Sequence, residues 1–333
     1  MPQITIGDLT QSKVFNHRNA LLKDRIQNLS TEVTTGLTSK TTESVRGDYT
    51  VLSGIEASLT QLAAFKRVTS EMGGLANHMQ LVLNAIADSG LALAPAMLAG
   101  ANSNSAARIS TVGAEADQRL QSAISALNTR FGARTLFGGV ATDTAAVTDA
   151  ETLMAALTTA VTGALSAKDV ETAVNDWFTD LTGFDAVVYQ GGAEQQEIDI
   201  GPDEKAKLDI TAKDPAIKSM LKGFAMASLL TRGILTGDDA GRAELAKRAG
   251  ESLAISQLPL AELTGRLGVI EASIVNAGLR NEAEKSGLET ARLGLLGVDI
   301  YEATTMLQES QFQLETLYSV TARMSRLSLV NYL

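Results

Sequence analysis

Cysteine is absent from the 333-residue chain, which excludes disulfides, thiol chemistry and cysteine-based metal sites. Histidine is nearly as scarce: His17 and His78 are the only two, and they fall in separate helical stretches. A histidine metal centre or a Ser–His–Asp arrangement needs imidazoles and carboxylates that converge, and this pattern brings none together. Aromatic residues are 4% of the chain, with one tryptophan, so a large aromatic core is excluded. The apolar content is mainly Ala, Leu, Val and Ile, which suits helix packed on helix. Positive charge is in deficit: the net charge is -10, which gives no general attraction to nucleic acid or to an anionic membrane. No uninterrupted apolar run reaches the roughly 20 residues of a bilayer span. The first residues show no basic stretch leading into an apolar core, so no Sec-type signal is expected.

The glycine-rich pieces Gly138-Gly139 and Gly191-Gly192 lack the Lys-Ser/Thr of a phosphate loop and the full dinucleotide fingerprint, and read as turns. Asp199, Asp203, Glu204 and Asp209 lack the alternating spacing and closing Glu of a calcium loop, and read as a solvated acidic face. The expectation is no catalytic residue, no cofactor, no metal, no nucleic-acid partner and no membrane partner.

What is present is helical periodicity. From Asp299 to Leu333 there is neither Pro nor Gly. Ile300, Ala303, Leu307, Leu314, Leu317, Met324 and Leu327 recur at helical spacing, a seam that lies along another helix. At about 1.5 Å per residue this is a rod of roughly 50 Å. Phe15, Leu22, Ile26, Leu29, Val33 and Leu37 form a matching seam near the start, with Ser12 as a candidate N-cap and Gly36 near its end. The two seams predict antiparallel pairing of the chain's ends. Val14, Leu21, Tyr318, Val320, Leu329, Val330, Tyr332 and Leu333 are left outside a two-helix contact, which points to further copies or other subunits.

Between the ends, Val51 to Ile86 is helical, with interruption expected at Asp88-Ser-Gly90 and Pro95. Asn102-Ser-Asn-Ser105 is turn chemistry ahead of a helix through Ile109, Leu120 and Leu127. Phe131 to Gly139 breaks the pattern. Short helices are expected around Leu153, Leu157 and Val161 and over Asp169 to Phe178, the latter capped by Asp169. Ala186 to Gly192 reads as a strand and turn. Gln196–Ile200 and Lys207–Thr211 alternate in period two and read as strands. Helices return at Ala216, Pro259 suits a first turn, and a seam from Leu260 to Val298 slips before Ile300.

The predicted fold is mainly α: nested N- and C-terminal coiled-coil rods and a helical bundle, with a small inserted α+β outer domain. Its parts are residues 1–42 with 299–333, residues 43–139 with 216–298, and residues 140–215.

Three stretches carry a resemblance. Leu29-Ser-Thr-Glu-Val-Thr-Thr-Gly36-Leu37, Asn128-Thr-Arg-Phe-Gly-Ala-Arg-Thr-Leu-Phe-Gly-Gly139 and the Gln-rich Leu307-Gln-Glu-Ser-Gln-Phe-Gln313 tail are similar to motifs of the flagellin family, above all its hook-associated branch. Tyr189-Gln-Gly-Gly192 with Glu197-Ile-Asp-Ile-Gly201 resembles the start of that branch's outer β domain. The resemblance implies an exported, non-enzymatic structural subunit of the bacterial flagellum that joins hook to filament. Implied partners are other copies of itself, a hook-side junction protein, filament flagellin and a cytoplasmic export chaperone at the C-terminal helix. Export through the flagellar type III apparatus is implied too. Filament flagellin itself is the alternative, and a secreted coiled-coil adhesin or effector the more distant one. The seam residues Leu22, Ile26, Leu29, Val33, Ile300, Leu307, Leu314, Leu317, Met324 and Leu327 are the expected assembly interface.

Overall fold

The computed structural model describes residues 6–103 and 105–330, with side chains at Thr10 and from 13 to 324 apart from 104. Helices dominate, as the apolar periodicity predicts: α1 (Ile6–Thr35), α2 (Thr41–Ser44), α3 (Thr50–Ala101), α4 (Ala106–Leu127), α5 (Ala150–Ala160), α6 (Ala167–Thr179), α7 (Phe184–Val187), α8 (Pro215–Ser228), α9 (Asp239–Leu296) and α10 (Ile300–Val330). Two small antiparallel hairpins are described, β1 (Arg130–Phe131) with β2 (Arg134–Thr135) and β3 (Ile198–Gly201) with β4 (Glu204–Ala206). The chain forms two compact units, Met1–Ala63 with Glu282–Leu333 and Ala64–Asn281.

The larger unit is built on helix pairs. Its segments of α3 and α9 run antiparallel: Gln257 Nε2 donates to Ala87 O at 3.2 Å, and Gly73 faces Ile274. Met79, Leu83, Ile86, Leu93 and Met97 line the inner face of α3 and are nearly inaccessible. Helix α4 starts at Ser105, whose hydroxyl accepts from Arg108 N, and packs along α8. Asp214 caps α8 by accepting from Ala216 N at 3.0 Å, with Pro215 in the first turn, where its missing N–H costs nothing. Arg232 ties α4 to α5 through Asp117 at 3.4 Å and Glu151 at 2.7 Å, and its guanidinium holds the Glu151 carboxyl below the ordinary carboxylate range.

Several local expectations are corrected. Pro95 and Asp88-Ser-Gly90 lie inside the continuous α3. Pro95 sits on the solvent side, where its lost backbone hydrogen bond is open to water. By length and composition α3 is apolar enough to cross a bilayer, although no unbroken apolar run is that long. Pro259 lies within α9, and Ser12 lies within α1. Ser166, not Asp169, caps α6. The stretch around Ala186 is the helical turn α7: Phe184 and Val188 are buried while Ala186 between them is exposed, which helical spacing gives and strand alternation does not. Lys207 to Thr211 does not pair as a strand: Leu208 and Ile210 point inward with period two, but β3 takes Glu204–Ala206 as its partner.

Among the ties of residues 140–215 to the helices is a backbone clasp. Gly138-Gly139 meets Gly191-Gly192: Val140 N donates to Ala193 O at 2.8 Å, Gly192 N to Gly138 O at 2.9 Å, and Ala212 N to Phe137 O at 3.0 Å. The Tyr189 hydroxyl closes it on Gly192 O at 2.7 Å. Gly139 has φ +62, and a Cβ there would collide with Ala193 O. Asn281 adds a second tie, donating from a buried position to Ile200 O at 2.7 Å. Gly139→Ala is therefore expected to lower stability by about 3 kcal/mol, combining left-handed backbone strain with the clash. Gly163→Ala, at φ +90 but facing open space, should cost only about 1 kcal/mol. Urea unfolding followed by circular dichroism checks both values, and equal losses would remove the clasp from the account.

Candidate assembly surface

The smaller unit is organised by α1 lying along α10. Helix α1 stops at Thr35, and the chain then touches the end of α9. Thr38 N donates to Leu296 O at 2.7 Å, Val298 N to Gly36 O at 3.0 Å, and the Ser44 hydroxyl to Leu295 O at 2.5 Å. Glu32 gathers the turn by accepting from Ser39 N at 2.8 Å and from the Ser39 hydroxyl at 2.6 Å. Asp299 caps α10, its carboxylate accepting from Tyr301 N at 2.8 Å. The slip in the sequence seam before Ile300 is this break: α9 ends at Leu296 and α10 restarts at Ile300.

Gly36 beside Val298 and Asn19 beside Tyr318 fix the two helices antiparallel, with the Tyr318 hydroxyl 3.4 Å from Asn19 Oδ1. Asn19, and then Lys23, hold the Tyr318 phenol below the ordinary tyrosine value. Of the predicted seam, Leu29 is buried and Leu22, Ile26, Val33, Leu307, Leu314, Leu317 and Met324 are half-buried. Ile300 stands off the seam, 55% exposed in the first turn, and Ala303 takes the inward place. The side chain of Leu327 lies outside the described residues. Ser310 is also inward, its hydroxyl satisfied by Met306 O at 2.8 Å in its own helix.

The pair is thinly packed. Among the described residues of α1 only Leu29 is fully buried, and in α10 only Ala303 and Ser310. Val14, Leu21, Tyr318 and Val320, the surplus apolar positions of the sequence, stand exposed, whereas Leu329, Val330, Tyr332 and Leu333 lie outside the described side chains. Phe312 joins them at 71% exposed. Sequence reasoning missed it because it sits among glutamines off the main seam. Phe15, Leu21, Leu22, Phe312, Leu317 and Val320 line one open apolar groove between the two helices. Such a surface is apolar and open to solvent. Among the described residues no cluster of acids and histidines is placed to hold a metal.

Residues 254–333 match the family model described as the bacterial flagellin C-terminal helical region. That match covers the C-terminal quarter of the chain and makes this region similar to the flagellin C-terminal region. The matched segment includes all of α10, and so one wall of the groove. No curated protein matches it in sequence. Two solved structures are similar in fold. A Vibrio parahaemolyticus protein described as flagellar hook-associated is 12% identical at a TM-score of 0.50, with 74% of this chain and 98% of that chain covered. Bacillus cereus FlgL is 14% identical at a TM-score of 0.50, with 71% and 96% covered. At these identities the likeness is one of fold. The shared architecture is mainly helical.

The seam sets a test of the pairing itself. Leu29→Ala should weaken the α1–α10 contact by about 2–3 kcal/mol, the range for truncating a buried leucine. Ser310→Ala should stay within about 0.5 kcal/mol, since its hydroxyl bonds only its own helix. Amide exchange over α1 and α10 measures both, and similar effects from the two would contradict the seam.

Proposed function

We propose that this protein is a flagellin-family structural subunit that joins the hook to the filament, by packing its terminal helices between subunits. One observation carries the reading. The paired α1 and α10 leave Leu21, Phe312, Tyr318 and Val320 open to water along one unit of the molecule. Soluble monomers rarely keep a contiguous apolar surface of this kind unless something binds it. Burying a side chain of this size completely is worth about 1.5–3 kcal/mol, so a few neighbours supply a strong drive to assemble.

The reading has further parts. Its partners are other copies of the chain, a hook-side junction protein and filament flagellin. Export runs through the flagellar type III apparatus without a Sec signal, with a cytoplasmic chaperone on α10 covering the groove beforehand. The seam residues from Leu22 to Leu327 pack between helices in the assembled tube. Residues 1–42 with 299–333 polymerise, residues 43–139 with 216–298 form the inner bundle, and residues 140–215 form the outer insert. The Leu136-Phe-Gly-Gly139 turn and the modest insert favour the junction role over that of filament flagellin.

Immunogold electron microscopy tests the location. The expected label is a thin ring where hook meets filament. Label along the whole filament would make the chain a filament flagellin, and label confined to the cytoplasm of flagellated cells would overturn the flagellar role. The surface is tested by Leu21→Ser with Phe312→Ser. Both residues are exposed in the single chain, so unfolding should shift by no more than about 0.5 kcal/mol each, while incorporation into the axial structure should fail. Normal filament attachment by the double variant would place the interface elsewhere.

A further inference from the structure

A second open cleft lies in the larger unit, beside the capped start of α8. The loop after α6, the start of α8 and the segment ahead of it form its walls. Phe178 and Leu181 give an apolar side, and three lysines line it: Lys213, Lys218 and Lys222. Two of the three amines are engaged. Lys218 Nζ pairs with Asp185 at 2.7 Å, and Lys213 Nζ lies 5.5 Å from the centre of the Tyr189 ring. Lys222, one helical turn beyond Lys218 on α8, makes no hydrogen bond or ion pair among the described residues.

We infer that Lys222 is an acceptor site for covalent acylation by acyl phosphates, a proposal that stands independently of the flagellar role. Three features of the cleft support it. The amine is half-buried beside Phe178 and Leu181, which strips water from the ammonium, while the cleft mouth leaves room for a small electrophile. Desolvation holds the Lys222 ammonium below the ordinary lysine value, against an opposing pull from Glu171 on α6. Finally, Lys213, whose amine lies over the Tyr189 ring, stands at the same cleft and can meet the phosphate of the donor. The other charges facing the cleft are Asp185 on α7, Glu194, and Asp209 and Asp214 ahead of α8. Three of these four are occupied: Asp185 with Lys218, Glu194 with Lys207 at 2.6 Å, and Asp214 with Arg266 at 3.1 Å.

The reaction balances without an oxidant or a metal. The lone pair of the neutral Lys222 Nζ attacks the acyl carbonyl carbon. A C–N bond forms, the C–O bond to phosphate breaks, and phosphate leaves with that electron pair. The surplus proton on nitrogen passes to phosphate or solvent. The products are an amide on Lys222 and inorganic phosphate. The neutral amine is the reactive form, as for other lysines activated by a desolvated pocket.

Acetyl phosphate is the probe. The intact folded protein is incubated with it near pH 8, and initial acetylation rates at each lysine are read by peptide mass spectrometry. Lys222 should react several-fold faster than the exposed Lys168 and Lys205, and that preference should vanish in urea-unfolded protein. Rates at Lys222 equal to or below those two overturn the proposal. A preference that persists in urea also overturns it, because the cause would then be local sequence and not the cleft.

Discussion

Two helices laid side by side can bury one stripe each, and that geometric limit governs the smaller unit of this chain. Helices α1 and α10 meet along Leu29, Ala303 and Ser310, yet both carry apolar residues around more of their circumference than one partner can cover. The surplus is the groove of Leu21, Phe312, Leu317 and Val320. In a single chain it stays wet; against further helices it becomes core. Under the proposed function, polymerisation would complete a packing problem that the single chain leaves open, and would need no special chemistry.

The larger unit solves the same problem internally. Its segments of α3 and α9 pair antiparallel, α4 and α8 add a second layer, and Met79, Leu83, Phe137, Phe184 and Phe224 close the interior. Residues 140–215 are held by backbone hydrogen bonds between two glycine pairs, where no side chain fits. A subunit that assembles through one part benefits from another part that is already folded. The contrast between a saturated core and an unsaturated helix pair is the physical basis for assigning assembly to the latter.

Much of this was legible in the sequence because helices advertise themselves. The spacing of Leu22, Ile26, Leu29 and Val33, and of Leu307, Leu314 and Leu317, gave both seams and their antiparallel sense, and the slip before Ile300 marked a true break. Breakers misled. Pro95 and Pro259 sit inside long helices because tertiary packing outweighs one lost hydrogen bond. Period two misled as well: Leu208 and Ile210 alternate inward without pairing, since burial sets their pattern and no neighbouring strand is offered. The meeting of Gly138-Gly139 with Gly191-Gly192 joins residues some fifty apart, and nothing local to either turn announces its partner. The Lys222 cleft was invisible for the same reason.

Amide hydrogen exchange, compared between the dilute free protein and the protein within an isolated axial structure, tests the central claim most directly. Amides of α1 and α10 should exchange orders of magnitude faster than those of α4 and α8 in the free chain, and become protected to a similar degree once assembled. Free-chain protection of α1 and α10 equal to that of α4 and α8, unchanged on assembly, would contradict the account.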